Sequence, residues 1–155
     1  MRVVYSYYVG DIVHRGHILQ MQRGKAIAKR DGIHIAGVLT DEAVMERKKK
    51  PVIPFDERME IVGAIKYVDI VISQDTYSPL PNLYRIQPDV HLESDSHDPN
   101  DIKKVTEYMK GIGGRVIVTP YYPNTSSTKI KQQISEQNKR LKEWADKTAK
   151  QARKI

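Results

Sequence analysis

The 155-residue chain contains no cysteine, which excludes disulfides, thiolate metal sites and cysteine nucleophiles and fits a cytoplasmic setting. It has no apolar run near the ~18 residues needed to cross a bilayer, and no membrane association is expected. Its first residues hold one arginine and a tyrosine-rich stretch, with no signal-peptide core. It has no internal repeat, no low-complexity linker, no Ser–His–Asp pattern and no paired-carboxylate acid/base site. What it has in surplus is positive charge. The net charge of +7 and the pI near 9.5 point to anionic ligands without choosing among nucleic acid, membrane surface and nucleotide phosphates. Hydrophobic residues at 39% and charged residues at 29% are ordinary for a globular protein. The length suits one compact domain.

Strand and helix patterns alternate along the chain. Arg2–Val9 reads as a buried strand of β-branched and tyrosine residues. A helix follows from about Gly16 to Arg30, then a strand over Ile33–Leu39, which makes a βαβ unit with parallel pairing. A short helix opens at Thr40-Asp41-Glu42 and runs into Arg47-Lys48-Lys49-Lys50, and a further helix starts near Pro54 and Asp56. Strands are expected at Val68–Ser73, Val90–Glu93 and Arg115–Thr119, with helices at Asn82–Ile86, Asp101–Gly111 and from about Thr128. The expectation is a Rossmann-like, doubly wound α/β domain with a mainly parallel five-stranded sheet and helices on both faces. Residues 1–138 would form the main body, and 139–155 a basic helical tail of the same domain with Leu141, Trp144 and Ala145 packed inward. Trp144 stands alone among the basic residues of that tail, so nucleic acid is not an expected partner.

Two stretches carry chemistry. Asp11-Ile12-Val13-His14-Arg15-Gly16-His17 lies where the first strand gives way to a helix, the place where an open α/β sheet binds ligands. Helix N-termini favour phosphate, a glycine admits a close backbone approach, and imidazoles donate to phosphoryl oxygens. His14 and His17 lack a third ligand on the same element, so no metal site is expected. The second stretch is Asn124-Thr125-Ser126-Ser127-Thr128-Lys129 at the start of the last helix. One serine there would be a plain N-cap; three hydroxyls with a lysine make a second anion cradle.

With these segments the chain resembles the cytidylyltransferases of the nucleotidyltransferase superfamily that carries an H-x-G-H motif. Lys66-Tyr67-Val68-Asp69-Ile70-Val71-Ile72 is similar to the family's R-Y-V-D-x-V-I, and Tyr121 to Thr128 is similar to its R-T-E-G-I-S-T-T. The resemblance covers roughly residues 1–134 with the motifs in order. It implies transfer of CMP from CTP to a small phosphorylated alcohol, as in glycerol-3-phosphate cytidylyltransferase, with Mg²⁺ arriving on the CTP and a homodimer pairing near Lys66–Ile72. By match, His14, His17, Lys49, Arg58 and Lys129 would be catalytic. Val9, Gly10, Asp11, Gly16, Asp95, Thr125, Ser126, Ser127 and Thr128 would hold the nucleotide together with the two histidines. Lys48, Lys49, Lys66 and Tyr121 would bind the acceptor.

The chain differs from the family pattern at Gly10, at Tyr121-Tyr122-Pro123-Asn124, at Lys66 and around Asp95, where relatives show G-D-D-W. These differences bear on the acceptor more than on the reaction. A phosphonate such as hydroxyethylphosphonate, ATP-dependent transfer of the FAD-synthetase type, and a non-catalytic nucleotide- or RNA-binding relative are the other readings.

Overall fold

The structure, a computed structural model, describes residues 1–152. In chain order the elements are β1 (Val3–Tyr8), α1 (Arg15–Ala28), β2 (Ile33–Leu39), α2 (Asp41–Met45), α3 (Phe55–Gly63), β3 (Ile70–Gln74), α4 (Leu80–Ile86), β4 (Val90–Ser94), α5 (Pro99–Gly111), β5 (Arg115–Thr119) and α6 (Ser127–Ala152). The five strands form one parallel sheet in the order β3-β2-β1-β4-β5. The chain therefore steps outward from β1 through β2 to β3, then returns to lay β4 on the other side of β1. That reversal opens a crevice at the carboxyl ends of β1 and β4.

Alternation along β1 sorts its side chains between two cores. Tyr8 packs with Met21, Ala36, Val38 and Val62 beneath α1 and α3. Tyr5, with Tyr7 beside it, meets Leu83, Val105 and Met109 of α4 and α5 on the opposite face. Adjacent tyrosines thus look to opposite sides of the sheet at its carboxyl edge.

The amino edge is pinned by Asp69. Its carboxylate pairs with Lys25 Nζ at 2.7 Å and accepts from the His34 amide at 2.8 Å, joining α1, β2 and the approach to β3. The expected elements are present with shifted ends. The first helix stops at Ala28 instead of Arg30, because Lys29 takes φ 67°; the third strand starts at Ile70, two residues later than expected. Asp98 caps α5 by accepting from the Asn100 amide, and Pro99 takes its first turn, so that helix begins before Asp101.

The chain divides into compact units at Met1–Tyr122 and Pro123–Ile155. In the second unit α6 runs unbroken through residues 138 and 139. Leu141 and Trp144, expected to pack inward, are 63% and 67% exposed, and Ala145 is exposed as well. The correction has a simple cause: the apolar positions Ile130, Ile134, Leu141 and Trp144 form too thin a stripe among lysines, glutamates and glutamines to enter a core. Residues 153–155 of the expected tail lie outside the described residues.

Candidate active site

The loop from β1 to α1 is built under backbone constraint. Gly10 takes φ 70° and Ile12 φ 53°, a left-handed conformation that a β-branched residue adopts only when its surroundings enforce it. A Cβ on Gly10 would also crowd Val62 at 3.2 Å. The buried Asp11 carboxylate holds the loop by accepting from the Val52 amide at 3.1 Å and the Ile53 amide at 2.9 Å. It thereby ties the entry to α1 to the segment that leads into α3.

Arg58 sits beneath that segment and is fully buried. Its guanidinium donates to the carbonyls of Val9, Leu39 (2.7 Å) and Ile53 (3.0 Å) and pairs with Asp41 Oδ1 at 2.7 Å. These bonds gather the ends of β1 and β2 and the start of α2. Arg58, expected among the catalytic residues, thus has its guanidinium engaged by protein acceptors.

His14 and His17 form the first turn of α1. His14 is the N-cap, and its Nδ1 accepts from the Gly16 amide at 3.0 Å; His17 Nδ1 accepts from the His14 amide at 3.2 Å. This is a capping box made from imidazoles. Each ring accepts at Nδ1, so the neutral tautomer carries its proton on Nε2. Glycine is required between them because a Cβ at Gly16 would come within 2.8 Å of His14 Cε1. Burial pushes the His17 pKa down to about 4, helped by His14 and only partly opposed by Asp11. Burial also lowers that of His14. The two rings lie 4.1 Å apart, and His17 rests edge-on against Tyr8. At neutral pH the helix N-terminus thus presents two uncharged Nε2–H donors.

A second polar cluster, absent from the sequence reading, lies on the other face of β1. Glu93 of β4 is 1% exposed. It is bonded to His91 Nε2 at 2.9 Å, to His97 Nδ1, and to the Tyr7 hydroxyl at 3.3 Å. Burial alone pushes the Glu93 carboxyl up, but the hydrogen bonds from His91 and His97 bring it down to about 2. His91 lies stacked with the rings of Tyr5 and Tyr7, and its buried Nδ1 has no partner. The sequence signal was present: His91 and Glu93 alternate on one face of β4, and His97 follows Glu93 by four. Nearby, Arg47 pairs with Asp101 and lies over the Tyr77 ring at 4.6 Å.

The other expected residues fall as follows. Lys48 and Lys49 are exposed after α2, with Lys48 Nζ 5.8 Å from the Tyr77 ring. Asp95 Oδ1 accepts from the Tyr121 amide at 2.8 Å, which braces the loop after β4; the Tyr121 ring is half exposed. Lys66, expected at the acceptor, precedes β3 at the amino edge, its ammonium over the Tyr67 ring at 5.1 Å. Within one chain that is the far end of the sheet from His14 and His17. In the second unit Ser126 Oγ accepts from the Lys129 amide at 3.1 Å, the N-cap role. Lys129 Nζ donates to the Pro123 carbonyl; Thr125, Ser126 and Ser127 are half-buried and Thr128 is exposed.

A parallel sheet whose reversal point carries an imidazole-capped helix N-terminus has the geometry in which α/β domains bind phosphate. The profile of the family described as Cytidylyltransferase-like matches residues 9–133, and the chain belongs to that family of nucleotidyltransferases. It is 29% identical over 140 residues to the "Bifunctional protein HldE" of Alcanivorax borkumensis, covering 88% of this chain and 28% of that protein. Against the HldE protein of Yersinia enterocolitica it is 30% identical over 135 residues, again over 28% of the relative. The chain thus spans a little over a quarter of the curated relatives it matches. The fold is shared with a crystal structure described as a lipopolysaccharide core biosynthesis protein from Thermoplasma volcanium (TM-score 0.66, 19% identity, 81% of this chain and 99% of that one). It is also shared with a protein of unknown function from Archaeoglobus fulgidus (TM-score 0.63, 16% identity, 81% and 94% covered).

Proposed function

We propose that this chain transfers a nucleotidyl group from a nucleoside triphosphate, CTP first among them, to a small phosphorylated alcohol. An acceptor phosphate oxygen attacks the α-phosphorus, the bond to the bridging α–β oxygen breaks, and pyrophosphate leaves with that electron pair. The nucleophile is already an anion at neutral pH, so no general base is needed; alignment and relief of charge repulsion supply the rate. The observation that carries this reading is the occupied Nδ1 of both His14 and His17, which leaves two Nε2–H groups at a helix N-terminus. They would donate to phosphate oxygens as charge develops there. Lys48 and Lys49 would meet the acceptor phosphate, and Asp11 and Arg58 would hold the loop in place. The nucleotide-holding roles of Thr125, Ser126, Ser127, Thr128 and Lys129 rest on the resemblance of their segment to the family motif.

Mg²⁺ would arrive on the triphosphate. Among the described residues no group of three or more His, Asp or Glu side chains is placed to hold an ion. Among those residues, too, no helix is long and apolar enough to cross a membrane.

A second reading takes a sugar phosphate as acceptor and ATP as donor. The acceptor in this reading is in keeping with a fold neighbour described as a lipopolysaccharide core biosynthesis protein, and ATP is the other donor that the family resemblance admits. One experiment covers both: pyrophosphate release with each of the four nucleoside triphosphates against glycerol 3-phosphate, sugar phosphates, hydroxyethylphosphonate and FMN, with Mg²⁺. Release with CTP and a polyol phosphate supports the first reading, and release only with ATP and a sugar phosphate supports the second. Silence across the whole panel overturns both and leaves a binding protein.

A further inference from the structure

We propose that His97 contacts the acceptor and selects for a hydroxyl group on it, with Glu93, His91 and Tyr7 as the residues that position it. The proposal rests on the transferase reading above.

Glu93 and His91 occupy fully buried strand positions, where a pair of apolar side chains would pack without penalty. Instead His91 turns Nε2 to Glu93 and leaves its own Nδ1 buried without a partner, a deficit that a purely structural core would avoid. What the arrangement achieves is to fix His97. The ionised Glu93 carboxylate accepts a hydrogen bond from His97 Nδ1–H, with the Tyr7 hydroxyl beside it. In the tautomer that this bond favours, Nε2 carries the lone pair and is the ring's remaining polar atom. Nε2 makes no hydrogen bond among the described residues, and the side chain is 30% exposed. An imidazole so held accepts a hydrogen bond from a hydroxyl.

Position supports the same assignment. Tyr7 and Tyr8 project to opposite faces at the end of β1. His17 rests on Tyr8, and His97 lies against Tyr7 with ring centroids 5.4 Å apart. The two histidine centres therefore sit on opposite faces of the sheet at the carboxyl end of β1. In-line displacement at phosphorus brings the nucleophile in opposite the leaving group. With the triphosphate on the α1 side, the acceptor enters from the side of His97, where its hydroxyls meet Nε2.

The test compares the full chain with His97→Ala and Glu93→Gln on two acceptors, glycerol 3-phosphate and its analogue n-propyl phosphate, which lacks both hydroxyls. If the screen identifies another polyol phosphate, that compound and its deoxy analogue replace them. The wild type should favour the hydroxylated acceptor by about tenfold to a hundredfold in kcat/KM, and both variants should lose most of that preference. The KM for the nucleotide should stay put. A preference ratio unchanged in His97→Ala overturns the proposal while the transferase reading stands; no pyrophosphate from the wild type with any acceptor sinks the transferase reading itself. A second measurement needs no turnover. In ¹⁵N-histidine-labelled chain the His97 ring should show a protonated Nδ1 and a bare Nε2, and glycerol 3-phosphate should shift the Nε2 resonance. A His97 protonated on Nε2 alone, or one unmoved by saturating glycerol 3-phosphate, overturns the proposal.

Discussion

Individual residues at this site are defined by what their partners leave over. His17 has a buried ring, an occupied Nδ1 and a pKa brought down to about 4, so it remains a neutral donor throughout the physiological range. Removing a preorganised donor of this kind costs about 10²–10³ in kcat; His17→Ala should show that loss in a pyrophosphate-release assay. Because the ring is neutral above about pH 4, the wild-type rate should show no His17 titration between pH 5 and 8. A deprotonation limb near the ordinary histidine value of 6.5 would contradict the assignment. Glu93 is an acid where His17 is a base, but its linkage runs in the same direction with pH. Its carboxyl falls from 4.5 to about 2 on folding, so its stabilisation is complete above pH 4.5 and is lost as pH falls through 2. With the group almost wholly buried, the shift amounts to about 3 kcal/mol. Glu93→Gln should flatten the dependence of urea-unfolding free energy on pH in that acid window. His17 adds a second loss at higher pH: its folded value is depressed, so the unfolded chain binds the proton more readily and stability erodes from 6.5 toward 4.

At the scale of elements, the chain is held at both edges of the sheet by buried or half-buried charges. Asp69 joins α1, β2 and β3 at the amino edge, and Arg58 gathers β1, β2 and α2 at the carboxyl edge. Arg58→Lys keeps the charge but loses the fork that reaches four acceptors. Arg58→Ala removes the buried donor that Asp41 and the Val9, Leu39 and Ile53 carbonyls share, and should cost about 3–5 kcal/mol, read as a lowered urea midpoint with loss of activity in proportion. These roles were not legible in the sequence. The resemblance implied a catalytic role for Arg58, and the convergence of the Val9, Leu39 and Ile53 carbonyls on its guanidinium is visible only in the fold. Legibility followed sequence distance. The strands and helices were readable because each is a local run bounded by turn residues, and the His14–His17 turn was readable because four residues complete it. The Glu93 cluster draws Tyr7 from 86 residues away, through a β1–β4 pairing that no local pattern announces. The tail misled for a related reason: Leu141 and Trp144 have helical spacing, but a stripe becomes a core only where another surface covers it.

For the whole molecule, the reversal of strand order explains why chemistry gathers at one edge and leaves the other free. Lys66, Tyr67 and Asp69 stand at the amino end of β3, an edge strand of the sheet, and there Ile70 is 43% exposed and Ile61 of α3 is 38% exposed. Exposed isoleucines on an unpaired strand edge invite a partner. The homodimer implied by the resemblance would place its contact on this same stretch, Lys66–Ile72, and we carry it forward as a proposal on that ground. Such a contact would also bring Lys66, remote from the site of its own chain, under the control of a second copy. The check is sedimentation of the full chain. It should run as a dimer at micromolar concentration, and Ile70→Lys, which puts a charge into the contact while leaving the histidine sites untouched, should shift it toward monomer. Wild-type chain that sediments as a monomer at those concentrations would remove the dimer and leave Ile61 and Ile70 as ordinary surface residues.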